Sequence, residues 1–112
     1  MVKDAESFRR DLPNVVATSQ ATETCIVIDG ELDAGVSEWF GACVTTALEK
    51  RPELMAIDAR RVTFLDSSGL RSLLLARAAA NDAGVAFRID DPSPELRRFI
   101  ERTGLRALLL DG

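Results

Sequence analysis

Residues 61–75 read RVTFLDSSGLRSLLL, and this stretch decides how the rest of the chain is interpreted. It places Asp66, Ser67 and Ser68 directly before apolar residues at helical spacing, namely Leu70, Leu73 and Leu74. Polar side chains of these types accept hydrogen bonds from the free N–H groups of a helix's first turn. The stretch therefore predicts a helix start at which the Asp66-Ser67-Ser68 group caps the helix. Alternatively, one of the serines is exposed at the helix N-terminus, where it could accommodate a phosphate.

Predicted strands and helices alternate along the rest of the chain. Strands are expected over residues 14–19 and 24–29, which form a hairpin, and over residues 54–58, 85–89 and 107–110. A first helix is expected after Asp33, with Asp33 or a neighbour as its cap, and it should stop at residues 51–52. Further helices are expected over residues 67–83 and, with Ser93 as its cap, over residues 94–103. The order β-β-α-β-α-β-α-β predicts an α/β fold with a mixed sheet, in which an antiparallel N-terminal hairpin is followed by right-handed βαβ units.

The composition is that of an ordinary globular protein: 112 residues, 46% of them apolar and 29% charged. A net charge of −4 lacks the general attraction to phosphate backbones that nucleic-acid binding needs. No stretch approaches the roughly 20 apolar residues that cross a bilayer, and the N-terminus lacks a signal-peptide core, so we expect no membrane span and a cytoplasmic location. The polar residues 1–13 predict a loosely ordered lead-in to a single domain over residues 14–112.

The helix that follows Asp33 has an unbroken apolar stripe, formed by Val36, Trp39, Phe40, Cys43, Val44, Ala47 and Leu48. We interpret Trp39 and Phe40 as core residues. Cys25 and Cys43 are interpreted as small buried hydrophobic residues, because no CxxC spacing or third ligand cluster suggests a disulfide or a metal site.

An assembled catalytic site is not expected. The chain has no histidine, so a Ser-His-Asp arrangement is impossible. Its only two lysines, Lys3 and Lys50, lie far in sequence from Ser67, so a Ser-Lys pair has no support. Neither glycine-rich nucleotide-binding loop is present. Asp58 ends a predicted strand, but no lysine follows Lys50 to support a phosphorylated aspartate, so Asp58 is expected to hydrogen-bond the strand end or the next loop. We therefore predict a protein that is not an enzyme, holds no cofactor and carries a serine that is a substrate.

Two motifs resemble the STAS domain of bacterial anti-sigma factor antagonists: GELD at residues 30–33 after a strand, and VTFLDSSGL at residues 62–70 before a helix. The resemblance continues through SPEL at residues 93–96 and TGL at residues 103–105. It implies a partner-switching regulator of transcription, whose unphosphorylated form binds an anti-sigma factor with serine kinase activity and thereby releases a sigma factor. Phosphorylation by that kinase ends the binding, and a serine phosphatase restores it. We expect such a protein to be a monomer or a weak dimer.

The resemblance also implies which residues matter. The serine directly after the aspartate, Ser67, matches the phosphorylated position, and only the resemblance selects it over Ser68. The positions expected at the partner-binding surface are Asp33, Asp66, Ser67, Ser68, Gly69, Leu70 and Arg71.

Arg71 departs from the pattern, because many members resembling this chain carry glycine there. It lies four positions after Ser67, so it either pairs with a phosphate on that serine or is a solvated arginine. Two interpretations stay open for four further arginines: they form a solvated helix face, or they form a basic patch for a carboxylate-rich partner. These residues are Arg97, Arg98, Arg102 and Arg106.

A second function of a different class remains open. The chain could be a non-switching STAS scaffold or an accessory subunit of a signalling or transporter complex, in which Ser67 only caps a helix. Insensitivity of a stable complex to Ser67→Asp would favour this alternative.

Overall fold

The computed structural model describes residues 15–110, so the predicted lead-in over residues 1–13 lies outside the described part. The elements follow the order β1 (Val15–Gln20), β2 (Glu23–Leu32), α1 (Ala34–Glu49), β3 (Leu54–Leu65), α2 (Ser67–Asp82), β4 (Ala86–Asp90), α3 (Pro94–Thr103) and α4 (Arg106–Leu109). In the described residues, no helix is both long and apolar enough to span a membrane.

The sheet is four-stranded, mixed and ordered β1-β2-β3-β4. The hairpin β1–β2 is antiparallel, with Val15 opposite Ile28, whereas β2 with β3 and β3 with β4 are parallel. This topology confirms the predicted α/β fold. Parallel strands need crossover connections, and α1 and α2 supply them.

One face of the sheet packs on the helices and forms the core. Alternate residues of the central strands point to the same face, so Ile26 and Ile28 of β2 and Met55 and Ile57 of β3 are completely buried. Phe40 of α1 is also completely buried, as predicted, while Trp39 is partly buried and packs at the core's edge. The predicted burial of Cys25 and Cys43 is only partial, and the two form no disulfide with each other.

The two central strands are longer than predicted. We expected β3 to end at residue 58, but it continues to Leu65, and β2 continues through Gly30 to Leu32. The β2–β3 register shifts twice, between Val27 and Asp29 and between Gly30 and Glu31. Each shift gives β3 an extra residue, so buried residues recur every three positions instead of every two. A search for alternating apolar and polar residues therefore does not detect this part of the strand.

The predicted strand over residues 107–110 is wrong, because this segment forms the short helix α4. Gly104 ends α3 with a φ of 77°, in the left-handed region that glycine adopts readily. The chain then turns, and the N–H of Leu109 donates to the carbonyl oxygen of Leu105 at 3.0 Å. A short apolar run fits a helical turn as well as a strand, and burial of Leu109 against the core selects the helix.

Candidate functional site

The candidate site lies at the carboxyl edge of β2 and β3. Leu32 and Leu65 are register partners at the ends of these parallel strands. The turns that follow them therefore lie side by side and lead into α1 and α2. This arrangement brings Asp33 to the same edge as residues 66–71, although more than thirty positions separate them in the sequence.

Asp33 and Asp66 have the same structural role in these two turns. Each residue has an extended backbone and caps the following helix. The N–H of Val36 donates to Oδ1 of Asp33 at 3.1 Å, and the N–H of Gly69 donates to Oδ1 of Asp66 at 3.0 Å. The cap predicted at Asp33 is confirmed. Of the three capping candidates in the second turn, the structure selects Asp66, so the interpretation of Ser67 as the cap is wrong.

Ser67 is the first residue of α2 and is exposed. Within residues 15–110 its hydroxyl makes no hydrogen bond, because Asp66 already accepts from the first turn. Ser68 is partly buried, and Ser72 is buried with its hydroxyl donating to the carbonyl oxygen of Gly69 at 2.7 Å. Ser67 thus presents the most accessible hydroxyl of these three serines.

Gly69 brings the start of α2 against the end of β2. A Cβ atom added at Gly69 would overlap the carbonyl oxygen of Leu32, and it would lie 2.5 Å from Cδ1 of Leu65. Only a residue without a side chain fits this approach without a shift of backbone. The glycine of the DSSG motif is therefore a packing residue that holds the two turns together.

The last two predicted surface residues differ in exposure. Leu70 is partly buried and packs against the core, so it offers little apolar area to a partner. Arg71 is exposed, and no carboxylate of the described residues lies within ion-pair distance of it. Within residues 15–110, its guanidinium is therefore available to an anion.

Asp58 lies within β3 and not at its end, which corrects the predicted position. Its carboxyl accepts hydrogen bonds from the backbone N–H of Arg60 at 3.2 Å and from Nη2 of the same residue at 2.8 Å. These contacts lower the pKa of Asp58, chiefly through the side-chain hydrogen bond. The carboxyl is thus held by an arginine, and within the described residues no group of three or more acidic or cysteine side chains is placed to hold a metal ion.

Sequence reasoning missed Phe64, whose exposed fraction is 50%. It lies just before the Asp66 turn, next to the second register shift, where it pairs with Glu31 while Val62 pairs with Gly30. A regular alternation from Val62 would have placed Phe64 on the buried face. The extra residue in β3 leaves Phe64 exposed, and no local sequence pattern predicts such a register shift.

The STAS domain family model matches residues 5–110. The chain belongs to the STAS domain family, with the single α/β domain and four-stranded mixed sheet described above. No curated protein matches the chain significantly.

Several solved structures share this fold. The anti-sigma factor antagonist SpoIIAA in its unphosphorylated form is 22% identical, with a TM-score of 0.73 over 86% of this chain and 85% of that one. An anti-sigma factor antagonist from Mycobacterium paratuberculosis is also 22% identical, with a TM-score of 0.75 over 85% and 80%. A sulfate transporter family protein from Wolinella succinogenes is 19% identical, with a TM-score of 0.72 over 84% and 76%. The same fold thus occurs in antagonists and in a transporter family protein.

Proposed function

We propose that this protein is an anti-sigma factor antagonist in a partner switch. In its unphosphorylated form it binds an anti-sigma factor with serine kinase activity, and phosphorylation at Ser67 inactivates it. The observation that carries this proposal is the exposed Ser67 hydroxyl, which makes no hydrogen bond within residues 15–110 because Asp66 caps the helix. A kinase can therefore modify Ser67 without breaking a contact of the fold.

The surroundings of Ser67 favour a change of surface over a change of fold. A phosphate adds about −1.5 to −2 charges at neutral pH. The N-terminal end of α2 carries a positive partial charge that tolerates this addition. Asp66 lies next to the phosphate and increases the negative potential, so a partner that had docked on the unmodified turn would meet a concentrated negative charge.

The proposed partner-binding surface consists of Asp33, Asp66, Ser67, Ser68, Gly69, Leu70 and Arg71. Residues 66–71 start α2, and Asp33 reaches the same edge through the Leu32–Leu65 pairing. Within this surface we assign contact to Asp33, Asp66, Ser67, Ser68 and Arg71. Gly69, which is buried, and Leu70, which packs against the core, have a supporting role. The chain would act by binding alone, as a cytoplasmic monomer or weak dimer, with no catalytic step, cofactor or nucleic acid. A serine phosphatase would reset it.

The second candidate is a non-switching STAS module of a signalling or transporter complex. The likeness to a sulfate transporter family protein favours it, since that likeness is as strong in TM-score as the likeness to SpoIIAA. The two functions differ at Ser67. A switching antagonist loses its partner when Ser67 is charged, whereas a structural module keeps it.

Phosphate mapping tests the proposed site. The full chain is incubated with a serine-kinase anti-sigma factor of the source cell and ATP, and the phosphate is located by mass spectrometry. We expect labelling of the wild type and of Ser68→Ala, the matched control, and loss of labelling in Ser67→Ala. Full labelling of Ser67→Ala would overturn the site assignment.

Partner capture separates the two functions. Immobilised Ser67→Ala and Ser67→Asp proteins are compared for retention of that same anti-sigma factor. We expect retention by Ser67→Ala and loss by Ser67→Asp. Equal retention by both variants would contradict the switch and support the structural module.

A further inference from the structure

A groove of about 350 Å³ lies between the last residues of β3 and one face of α3. It is lined by residues 63–65 and by Glu95, Arg98, Phe99 and Arg102. We call it the β3–α3 groove. The groove exists because β3 extends beyond β4, whose last pairing joins Asp90 to Asp58. The end of β3 still pairs with β2 along one edge, but α3 takes the place of β4 beside its other edge.

Two aromatic residues, Phe64 and Phe99, line the β3–α3 groove. Phe64 is exposed by 50%, and Phe99 is partly buried. Other apolar residues of α3, Leu96 and Ile100, are buried in the core, so the helix does not need Phe64 to cover its inner face. A half-exposed phenylalanine beside a second aromatic ring provides apolar area that a docked side chain can remove from water.

The rim of the β3–α3 groove is mainly cationic. Arg98 and Arg102 are exposed, lie four residues apart on one helix face, and make no ion pair within the described residues. Arg106 differs, since its Nη1 lies 2.7 Å from Oε2 of Glu101. The rim adds the negative charge of Glu95, so the groove carries a net charge of +1 on a chain whose net charge is −4.

We propose that the β3–α3 groove binds an acidic segment of another protein, with an aromatic or aliphatic side chain seated between Phe64 and Phe99 and flanking carboxylates on Arg98 and Arg102. Guanidinium groups match carboxylates in geometry and can bind them through two parallel hydrogen bonds. The aromatic lining together with two arginines that make no ion pair within the described residues selects a segment that carries an apolar side chain and carboxylates. Two cations on an acidic chain are too few to hold a nucleic-acid backbone.

This groove is separate from the Ser67 turn, and its occupation does not require phosphorylation. Leu65 lines the groove and precedes Ser67 by two positions, so both surfaces lie at the same edge of the domain. One partner could therefore contact both surfaces, but peptide binding in the groove stands or falls independently of the proposed switch.

Titration of the isotope-labelled full chain with a synthetic peptide, acetyl-Glu-Asp-Glu-Phe-Glu-Asp-Glu-amide, tests the proposal by NMR. We expect the backbone amide signals of Phe64, Arg98, Phe99 and Arg102 to shift. Arg98→Glu should weaken the binding about tenfold, the loss expected for one charge-assisted contact. Arg97→Glu is the matched control, because Arg97 is exposed on α3 but does not line the groove. The affinity of this variant for the peptide should match that of the wild type.

Further arms separate the apolar and charged contributions. Replacement of the peptide's phenylalanine by alanine should also weaken binding. Phe64→Ser in the protein should have the same effect, and an NMR spectrum of this variant checks that it is still folded. Absence of shifts at the groove, or equal losses for Arg97→Glu and Arg98→Glu, would overturn the proposal. Tighter binding of a thymidine oligonucleotide at the same residues would overturn it too, since the groove would then prefer a phosphate backbone.

Discussion

The Cα atom of Gly69 lies against the carbonyl oxygen of Leu32, so close that an added Cβ would overlap that oxygen. This contact joins the first turn of α2 to the end of β2. Leu32 is followed directly by the cap Asp33, and the N–H of Gly69 donates to the cap Asp66. Both capping turns therefore belong to one packed unit. A substitution that shifts the backbone of one turn should therefore also shift the other turn.

Gly69→Ala should destabilise the domain by about 1–3 kcal/mol, the usual cost of overpacking a tight site. The matched control is Gly41→Ala on α1, where an added Cβ meets nothing within 4 Å. That change should stabilise the domain by about 0.5–1 kcal/mol, because alanine is the better helix former. Urea unfolding of both variants measures the difference, and similar free energies of unfolding for the two variants would contradict the close approach.

Asp66→Ala should lower the free energy of unfolding by about 1 kcal/mol through loss of the helix cap. Asp66→Asn keeps an oxygen that can accept from the N–H of Gly69, so its stability should stay close to that of the wild type. If the carboxylate also contributes to the proposed partner-binding surface, Asp66→Asn will change partner affinity while leaving stability intact. Thermal unfolding and a binding titration separate these two effects, and equal destabilisation by alanine and asparagine would contradict the capping role.

Arg71 should interact with a phosphate on Ser67, because the two residues are four apart on an exposed helix surface and the anion lies N-terminal to the cation. The stabilisation amounts to a few tenths of a kcal/mol. A sensitive readout is the second pKa of the phosphoserine, which is about 6 without neighbours. Phosphorus NMR should give a higher pKa in Arg71→Gln than in the wild type. Equal values in the two proteins would leave Arg71 as a solvated arginine.

The Asp58–Arg60 pair predicts a pH-dependent contribution to stability. Hydrogen bonding to the Arg60 side chain lowers the pKa of Asp58 in the folded protein. The contribution is therefore complete above the unfolded-state pKa and is lost as the pH falls through the lower folded-state pKa. Asp58→Asn should be less stable than the wild type at neutral pH, and the difference should shrink below about pH 4.

Arg60→Gln is the control for this pH dependence, because it removes the main cause of the lowered pKa. In that background, Asp58→Asn should have a smaller effect that changes less with pH. Urea unfolding between neutral and acid pH gives all four stabilities. A difference between Asp58→Asn and wild type that stays constant down to the lowest pH would contradict the assignment.

Local signals predicted the elements whose stabilising contacts are close in sequence. The apolar stripe and Asp33 predicted α1, and Ser93 with Pro94 predicted the start of α3, where the N–H of Leu96 donates to Oγ of Ser93 at 3.1 Å. These contacts span three residues and therefore appear in the local pattern. The local pattern did not predict the end of β3, because the register shifts there depend on pairing with a strand about thirty residues away.

The sequence by itself determined the order of elements as far as α3, the helix start after Asp66 and the resemblance that selects Ser67. Each of these follows from short-range periodicity, capping chemistry or a contiguous motif. Only the tertiary structure decided that Asp33 lies at the same edge, that Gly69 packs on Leu32, and that Phe64 lines a groove with Arg98. These features arise from strand register and from contacts between distant segments, which a linear pattern does not specify.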